Sequence, residues 1–445
     1  MLSRYLHRSI DRTSIEQYYT VVVNNDNSEL EDILGRKSAS PNPLLRVIPD
    51  WFKDRYNLII LGATIIILLL HLISIAQVQD LIFDEFYYVN EANSILSDGE
   101  LIRPEHPNLG KLFIASGILI FGDNSSGWRI PPVIFSAALI FIFYAICRKI
   151  TDKLAAVLAS VLFMFESLIF FMSGLAMLDV FSLTFMLLAF LLFLQDRYAL
   201  SGLSLALSGL CKLTGFLGIF VILAYWLIKK RKQSPRSIGL FLVSVLAAFM
   251  LLMPLIDFAA YKEWLNPITR MGEMLFYHQG LTSEGFVEGQ SFPWEWVVSP
   301  FGYRLTTYPH LLIFTSPTVW IFIIPSICYV TYEYIKNRGN ASLFIILWFA
   351  ATYLPWMLVV VATDRITYLY YFYPALGAVC IAIGIALSRL WEIQSKGRFI
   401  QSHSRIHLVI CRLFQIIIVG YIAAHILVLI VVIANPYYSP AISNS

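Results

Sequence analysis

Residues 58–88 read LIILGATIIILLLHLISIAQVQDLIFDEFYY, and this stretch decides the class of fold. Residues 58–77 carry no Asp, Glu, Lys or Arg, and a helix of about 20 apolar residues is long enough to cross the hydrocarbon core of a bilayer. The acidic pair Asp84-Glu85 follows within a few residues, flanked by aromatic side chains. The stretch therefore predicts a transmembrane helix that ends close to two carboxylates at one membrane surface.

The rest of the chain repeats this apolar character. Of its 445 residues, 58% are hydrophobic and only 14% are charged, against about 45–50% and about 25% in ordinary soluble domains. The sequence thus predicts an all-α polytopic membrane protein, in which residues 109–121, apolar but too short to span, form an interfacial helix. We predict eleven spans, near residues 58–77, 129–147, 154–173, 178–194, 199–211, 214–228, 238–259, 311–330, 342–362, 371–388 and 407–434.

The basic residues predict the orientation of these spans. With the N-terminus in the cytoplasm, 24 of the 32 Lys and Arg residues fall on the cytoplasmic side and eight on the other, as the positive-inside rule requires. An odd number of spans puts the C-terminus outside. The predicted organisation is a cytoplasmic tail (1–57), a transmembrane domain (58–434) with external loops 78–128 and 260–310, and an external tail (435–445).

The pair Asp84-Glu85 is the strongest candidate for a reaction centre on the external side. Burial raises the pKa of a carboxyl group and a neighbouring cation lowers it, so either environment can tune a general base. Two acids beside a span are also common as a solvated loop feature, and the pair alone does not decide between these interpretations. The first external loop continues with His106 and Lys111, and Arg129 heads the second span.

Further charges are predicted near the same membrane surface. Asp179 and Lys212 fall near the external ends of their spans, and Arg365 lies in a short external loop. Arg129 either extends to lipid headgroups or clamps a phosphate. Glu166 lies deeper, where a structural hydrogen bond to a neighbouring helix is expected. A substrate with a lipid tail and a phosphate head suits such a site.

The chain lacks the motifs of several other protein classes. It has no GxxxxGK[ST] and, on the predicted external side, no DxD and no HExxH. These absences argue against a nucleotide-driven pump and against a nucleotide-sugar enzyme that chelates a metal through DxD. We expect no bound metal, no tightly bound cofactor and no nucleic-acid partner. The absence of an internal repeat makes an inverted-repeat transporter less favoured.

The order of the motifs resembles the protein O-mannosyltransferase family, which uses dolichyl-phosphate mannose and has the GT-C fold. The resemblance covers about residues 58–390. It rests on Asp84-Glu85, His106-Pro107-x-Leu109-Gly110-Lys111, Phe121-Gly122-Asp123-Asn124, Gly127-Trp128-Arg129, Met177-Leu178-Asp179-Val180-Phe181, Cys211-Lys212-Leu213-Thr214-Gly215, Pro293-Trp294-Glu295-Trp296, Leu354-Pro355-Trp356 and Arg365-Ile366-Thr367-Tyr368.

The resemblance implies a function and a set of roles. Asp84 would deprotonate a Ser or Thr hydroxyl, Glu85 would support it or bind the acceptor, and mannose or a similar hexose would transfer from a polyprenyl phosphate with inversion. Arg129, Lys212 and Arg365 would hold the lipid phosphate, and we also assign His106, Lys111 and Asp179 to substrate binding. The resemblance implies an archaeal or bacterial member without the β-trefoil insertion, in the plasma membrane, or in the endoplasmic reticulum membrane if the chain is eukaryotic.

Four positions depart from the family pattern, at Asn108, Gly174, Phe292 and Tyr371, where a second Pro, an Arg, an Arg and a His are expected. These departures leave the sugar and the acceptor open. Transfer to a lipid or glycan, a transporter or flippase, and a non-catalytic structural partner are the alternatives. The expected partners are membrane lipid, the lipid-linked sugar and an acceptor protein or peptide, with a homodimer or heterodimer possible.

Overall fold

The computed structural model describes residues 50–97, 99, 103–230, 234–282, 289–299, 314–397 and 405–434. Most of the predicted N-terminal tail (1–57) and the predicted external tail (435–445) lie outside the described residues. The chain divides into two compact units, Met1–Leu58 and Ile59–Ser445, and the site described below lies within the second.

Helices are the regular elements of the described residues, apart from two isolated β-bridges that join Thr282 to Arg365 and Gln290 to Tyr368. Short 3-10 turns cover Leu213–Phe216 and Leu369–Phe372, and a π turn covers Trp226–Lys230. The helices are α1 (Arg55–Gln77), α2 (Glu85–Leu96), α3 (Leu109–Phe121), α4 (Ser125–Ile150), α5 (Lys153–Met164), α6 (Ser167–Gly174), α7 (Leu178–Leu194), α8 (Tyr198–Cys211), α9 (Leu217–Tyr225), α10 (Pro235–Tyr261), α11 (Pro267–Gln279), α12 (Glu295–Val298), α13 (Pro317–Trp320), α14 (Ile323–Asn337), α15 (Asn340–Thr363), α16 (Tyr373–Gly397) and α17 (Arg405–Ile433).

The prediction of an all-α membrane protein is confirmed. Within the described residues, eight helical segments are long and apolar enough to cross a membrane, and the bent pair α5–α6 makes up to nine. The short apolar helices α7 and α8 coincide with two further predicted spans. Each of the eleven predicted segments thus contains helix, while the number that cross the membrane and the side of each terminus stay predictions.

The predicted span 154–173 is not one straight helix. α5 and α6 meet at an angle of 60°, because the side chain of Glu166 replaces the helical hydrogen bonds at the break. Its Oε2 accepts from the backbone N–H of Ile169 (2.8 Å) and its Oε1 from that of Ser316 (2.7 Å). This second bond, to the segment that leads into α13, is the structural role predicted for Glu166.

Small residues let the short helix α8 pack tightly between α7 and α10. A Cβ atom on Gly202 would lie 2.4 Å from the carbonyl oxygen of Phe241 in α10, so only glycine permits this approach. On the other face, Ser201, Ser204 and Ser208 donate to carbonyl oxygens of α7 at 2.7–2.8 Å. Small residues and interhelical hydrogen bonds of this kind stabilise helix pairs in membranes.

The predicted interfacial segment 109–121 is helix α3, and the segment predicted as the first external loop is therefore largely helical. The turn between α3 and α4 is fixed by Asn124, whose side-chain oxygen accepts from the backbone N–H groups of Ser126 (3.0 Å) and Gly127 (3.2 Å). Gly122 adopts a positive φ of 87° just before it, a conformation that favours glycine. This turn sets where Arg129 enters the protein interior.

Segments predicted to face the same side of the membrane meet in the structure. Lys230 pairs with Asp196, and Lys229 donates to the carbonyl oxygen of Arg338 (2.8 Å), which joins loops predicted to be cytoplasmic. The predicted external loops meet at the other end, through the two β-bridges and the cavity described next. The grouping of loops by charge therefore agrees with the fold.

Candidate active site

A cavity of about 600 Å³ lies where the predicted external segments meet, and cavities of roughly 300–1,000 Å³ are typical of small-molecule sites. Its walls differ in character. One wall, from α9, α15 and the turn before α9, is mainly apolar and includes Phe216, Leu217, Phe220, Pro355 and Val359. The charged and imidazole side chains of the lining are Asp84, Arg103, Glu105, His106, Lys212, His278 and Arg365.

Asp84 is one of the two carboxylates, with Glu105, that line this cavity among the described residues. It immediately precedes α2 and makes no side-chain capping bond to that helix, so its carboxylate remains available to the cavity. Tyr370 donates its hydroxyl to Oδ2 of Asp84 at 3.2 Å. Burial raises the pKa of Asp84 to about 6, although the positive charge of Lys212 acts in the opposite direction. A carboxyl group with this pKa is ionised at neutral pH and is more basic than an ordinary aspartate.

The residue before Asp84 has an uncommon backbone conformation. Phe83 has a φ of 54°, a left-handed value that costs energy for a bulky residue. Its ring is held by edge-to-face contacts with Tyr368 (5.9 Å between centroids) and Tyr370 (5.2 Å). The strain is therefore supported by the same aromatic cluster that contacts Asp84.

Glu85 does not line the cavity, and of its two predicted roles the geometry favours support of Asp84 over binding of the acceptor. It is fully buried and forms a two-point ion pair with Arg129, at 2.8 Å (Nε to Oε1) and 2.6 Å (Nη2 to Oε2). Backbone N–H groups of Ile82 (2.9 Å) and Ala176 (2.7 Å) also donate to it. Its oxygens are therefore fully used in holding the loop to α4 and to the segment before α7.

Arg129 departs from its predicted role for the same reason. Beyond Glu85, its guanidinium donates to the carbonyl oxygens of Val78 and Asp80. The residue is 1% exposed, so it neither extends to lipid headgroups nor reaches a phosphate in the cavity. It stabilises the chain segment between α1 and α2, and through this segment it positions Asp84.

Lys212 lines the cavity, and Asp179 lies directly beside it. Lys212 falls in the break between α8 and the following 3-10 turn, and its ammonium group pairs with Oδ2 of Asp179 at 2.7 Å. The same group lies 5.1 Å from the ring centre of Tyr370 and 5.9 Å from that of Tyr371. The structure thus brings the predicted cation to the cavity and gives Asp179 the role of its counter-ion.

Lys111 supports the cavity from behind and does not line it, which differs from the prediction. It is fully buried and pairs with Glu91 at 2.7 Å. Its ammonium group also donates to the carbonyl oxygens of Arg103 (3.3 Å) and His106 (3.4 Å). The loop that carries His106 is therefore fastened through its own backbone by a buried cation.

A second buried ion pair fastens the same loop. Arg270 of α11 donates to the carbonyl oxygen of Pro104 (3.3 Å), and its Nε lies 4.0 Å from Oδ2 of Asp257 in α10. Asn108 donates to Oδ1 of Asp257 at 2.7 Å, so the departure from Pro at position 108 creates this link. We call Lys111, Glu91, Asn108, Asp257 and Arg270 the anchor cluster.

His106 and Arg365 both line the cavity, as predicted, and both contact His278. The imidazole rings of His106 and His278 lie 5.3 Å apart. Arg365 donates to the carbonyl oxygen of His278 (2.9 Å) and lies 3.2 Å from its Nδ1. Burial is the main cause that lowers the pKa of His278 to about 4 and that of His106 well below its ordinary value. Both rings are therefore neutral at pH 7, and the positive charges of the lining come from Arg103, Lys212 and Arg365.

At the three other positions that depart from the family pattern, the residue present packs against a neighbouring aromatic or imidazole side chain. Tyr371 stacks on Trp356 with 4.4 Å between ring centres, and Phe292 stacks on Trp294 at 4.7 Å. A Cβ atom on Gly174 would lie 2.6 Å from Cδ2 of His71, so His71 occupies the space that a larger residue would need. These positions therefore keep a packed structure without the family cations.

Sequence reasoning missed several residues of this region. Asp257 is an acid inside an apolar run, and the rule that singled out Glu166 would also have found it. Glu91, Arg270 and Tyr370 carry no comparable signal, because their roles depend on contacts with distant segments. Within the described residues, no group of three or more His, Cys, Asp or Glu side chains is arranged to hold a metal ion.

Comparisons with known proteins agree with this geometry. Residues 105–257 match the family model "Dolichyl-phosphate-mannose-protein mannosyltransferase". The polyprenol-phosphate-mannose–protein mannosyltransferase of Corynebacterium glutamicum is 22% identical over 70% of this chain and 78% of its own length. The relative of the same name in Mycobacterium tuberculosis is 24% identical over 78% and 84%. These similarities support the GT-C mannosyltransferase family for this chain.

Solved structures share the fold of this chain at low sequence identity. The Saccharomyces cerevisiae Pmt1–Pmt2 complex bound to its sugar donor gives a TM-score of 0.65 at 10% identity, over 84% of this chain and 89% of that one. ArnT from Cupriavidus metallidurans bound to undecaprenyl phosphate gives 0.56 at 14%, over 85% and 73%. The Archaeoglobus fulgidus oligosaccharyltransferase gives 0.55 at 17%, over 88% of this chain but only 57% of its own length.

Proposed function

We propose that this protein transfers mannose, or a similar hexose, from a polyprenyl phosphate to a Ser or Thr hydroxyl of an acceptor protein at the external face of the membrane. The observation that carries the proposal is Asp84, a carboxylate of raised pKa in a cavity with Lys212 and Arg365 on one side and an apolar wall on another. The named relatives are mannosyltransferases that use a polyprenol-phosphate donor, which favours this enzyme over a transporter or a structural partner.

The two parts of the donor, an apolar polyprenyl chain and a charged phosphate, match the apolar and the charged residues of the cavity lining. Apolar residues of α9 and α15 provide a surface for the polyprenyl chain, and Phe220 is 57% exposed there. Lys212 and Arg365 provide positive charge for the phosphate, which must leave as an anion. Since the neutral rings of His106 and His278 lie next to Arg365, they can add hydrogen bonds to the phosphate or the sugar without adding charge.

The reaction follows from the position of Asp84. The acceptor oxygen attacks the anomeric carbon from the face opposite the phosphate, the bond between that carbon and the phosphate oxygen breaks, and the polyprenyl phosphate leaves. Asp84 takes the proton of the acceptor hydroxyl, and the hydrogen bond from Tyr370 holds its carboxylate in place. A single displacement of this kind inverts the configuration at the anomeric carbon. No metal ion takes part in the proposed scheme.

The proposed setting is the plasma membrane of an archaeon or a bacterium, with the cavity open to the outside. The donor and the acceptor are the partners the reaction needs, and a second copy of the chain or a related chain is compatible with it. Transfer to a lipid or a glycan would use the same base and the same leaving group, and the acceptor experiment below separates these cases.

The test is a transfer assay with the full chain reconstituted in vesicles. Labelled polyprenyl-phosphate mannose is supplied with a Thr-containing peptide, with the same peptide carrying Val in place of Thr, or with membrane lipid alone. We expect label on the Thr peptide only, joined with inverted anomeric configuration. Label on lipid alone would contradict the choice of acceptor, and no transfer to any hydroxyl would contradict the proposed enzyme.

A further inference from the structure

A second cavity, of about 480 Å³, lies beside the first and has no role in the scheme above. We call it the side cavity. Its lining residues are Pro104, Glu273, Phe276, Tyr277, Gly280 and Leu281. Tyr277 and Leu281 also line the main cavity, so the two cavities are adjacent and share these two residues.

Among the described residues, the lining of the side cavity contains one acidic group. Phe276 is 79% exposed, so its ring offers apolar area to a ligand in this cavity. Glu273 is the single charged residue among the described residues that line it, and its side chain remains 51% exposed. The surface therefore favours a ligand that brings both apolar area and positive charge.

The nearby cations do not cancel the charge of Glu273 at the surface. Arg270 forms an ion pair with Glu273 and donates to its Oε2 at 3.4 Å, but this buried cation is shared with a second acid, Asp257. Arg103 lies 3.7 Å from Glu105, and its guanidinium covers the ring of Tyr87 at 3.6 Å. Among the described lining residues, the carboxylate of Glu273 therefore supplies the solvent-exposed negative charge of the side cavity.

We infer that the side cavity holds the acceptor peptide, and that it selects peptides with a Lys or Arg close to the modified hydroxyl. This inference rests on the proposed function, since it assigns the acceptor side of the same reaction. The donor approaches along the apolar wall of α9 and α15, whereas the side cavity opens on α11, in the external loop. An extended peptide that lies over Phe276 and Glu273 passes Tyr277 and can direct its hydroxyl towards Asp84.

The experiment compares peptides that differ in one charge. Each contains one Thr, with Lys, Gln or Glu placed in turn at positions up to four residues on either side. With wild-type protein in vesicles we expect kcat/KM for the best Lys peptide to exceed that for the matching Glu peptide by about fivefold, mostly through KM, and to converge in high salt. Glu273→Gln should remove the preference, and Glu273→Lys should reverse it.

The matched control is Glu263→Gln, an exposed acid that precedes α11 and does not line the side cavity. It should keep the wild-type preference, and the KM for the donor should be unchanged in all three variants. Equal use of the Lys and Glu peptides by the wild type would overturn the inference. An unchanged preference in Glu273→Lys, or a change of the donor KM in either Glu273 variant, would overturn it as well. If the wild type modifies no peptide, the proposed function fails, and fluorescence binding of the Lys and Glu peptides still tests the side cavity.

Discussion

Asp84 and Glu85 are neighbours in sequence but belong to two regions with opposite properties. Around Glu85, each carboxylate oxygen receives two hydrogen bonds, from Arg129 and from backbone N–H groups. Around Asp84, one hydrogen bond from Tyr370 is formed and the group borders a cavity. A satisfied carboxylate stabilises the fold, while an incompletely satisfied one remains reactive.

The largest effect on the transfer rate is expected from a substitution at Asp84, which borders the cavity. Asp84→Asn keeps the size of the side chain but removes the base, and a general base contributes about 10²–10⁴ in rate. Transfer should fall by about three orders of magnitude while the donor still binds and the unfolding temperature changes little. Transfer rate and donor binding are measured on the same vesicle preparation, and an equally active Asp84→Asn protein would refute the assignment.

The second-largest effect is expected at Glu85, in the region of the buried ion pair, and it is an effect on stability. Glu85→Gln leaves Arg129 buried without a counter-ion, and breaking a buried pair costs about 3–5 kcal/mol. We expect a clear drop in the unfolding temperature in detergent, with transfer lost only as far as folding is lost. A variant with wild-type stability and no transfer would instead make Glu85 a reacting group.

A smaller effect is expected for the cavity cation. Lys212→Gln removes the charge beside Tyr370 and leaves Asp179 without its partner, so the double variant Lys212→Gln/Asp179→Asn is the control that restores neutrality. Both should raise the KM for the donor by about tenfold to a hundredfold, because a charge-assisted bond to phosphate contributes about 1.5–3 kcal/mol. An unchanged donor KM in the double variant would remove Lys212 from the phosphate site.

The smallest effect belongs to the anchor cluster. Asn108→Ala takes one hydrogen bond from the buried carboxylate of Asp257, which should lower the free energy of unfolding by about 1–3 kcal/mol. Because Asn108 does not line the cavity, transfer by the folded protein should change only a few-fold. A loss of transfer as large as that of Asp84→Asn, at wild-type stability, would contradict a purely supporting role for Asn108.

Much of this architecture could be predicted from the sequence, because a bilayer imposes long apolar runs and a charge bias on any chain that crosses it. The helices and the grouping of loops follow from these rules, as does the presence of Asp84, His106, Lys212 and Arg365 at one surface. The bend at Glu166 could not be predicted, since it depends on a bond to Ser316, 150 positions away.

The roles of individual charges were harder to predict for the same reason. Arg129 and Lys111 are basic residues on the correct side, yet each is used by a buried acid. The sequence separations of these pairs, 44 positions between Glu85 and Arg129 and 20 between Glu91 and Lys111, carry no periodic signal. Residue type and membrane side place a charge near the site, and only packing decides whether it faces the cavity.

The proposed role of Asp84, a general base whose pKa is raised by burial, makes transfer depend on pH, and this dependence is the sharpest test of that role. The single-turnover rate with saturating donor is measured in wild-type vesicles between pH 4.5 and 8, with Asp84→Glu and Glu85→Gln for comparison. As the base must be ionised, the rate should be constant above about pH 7, reach half its maximum near pH 6 and fall tenfold per unit below. An inflection that moves in Asp84→Glu but not in Glu85→Gln supports the claim, whereas a rate independent of pH across this range would contradict it.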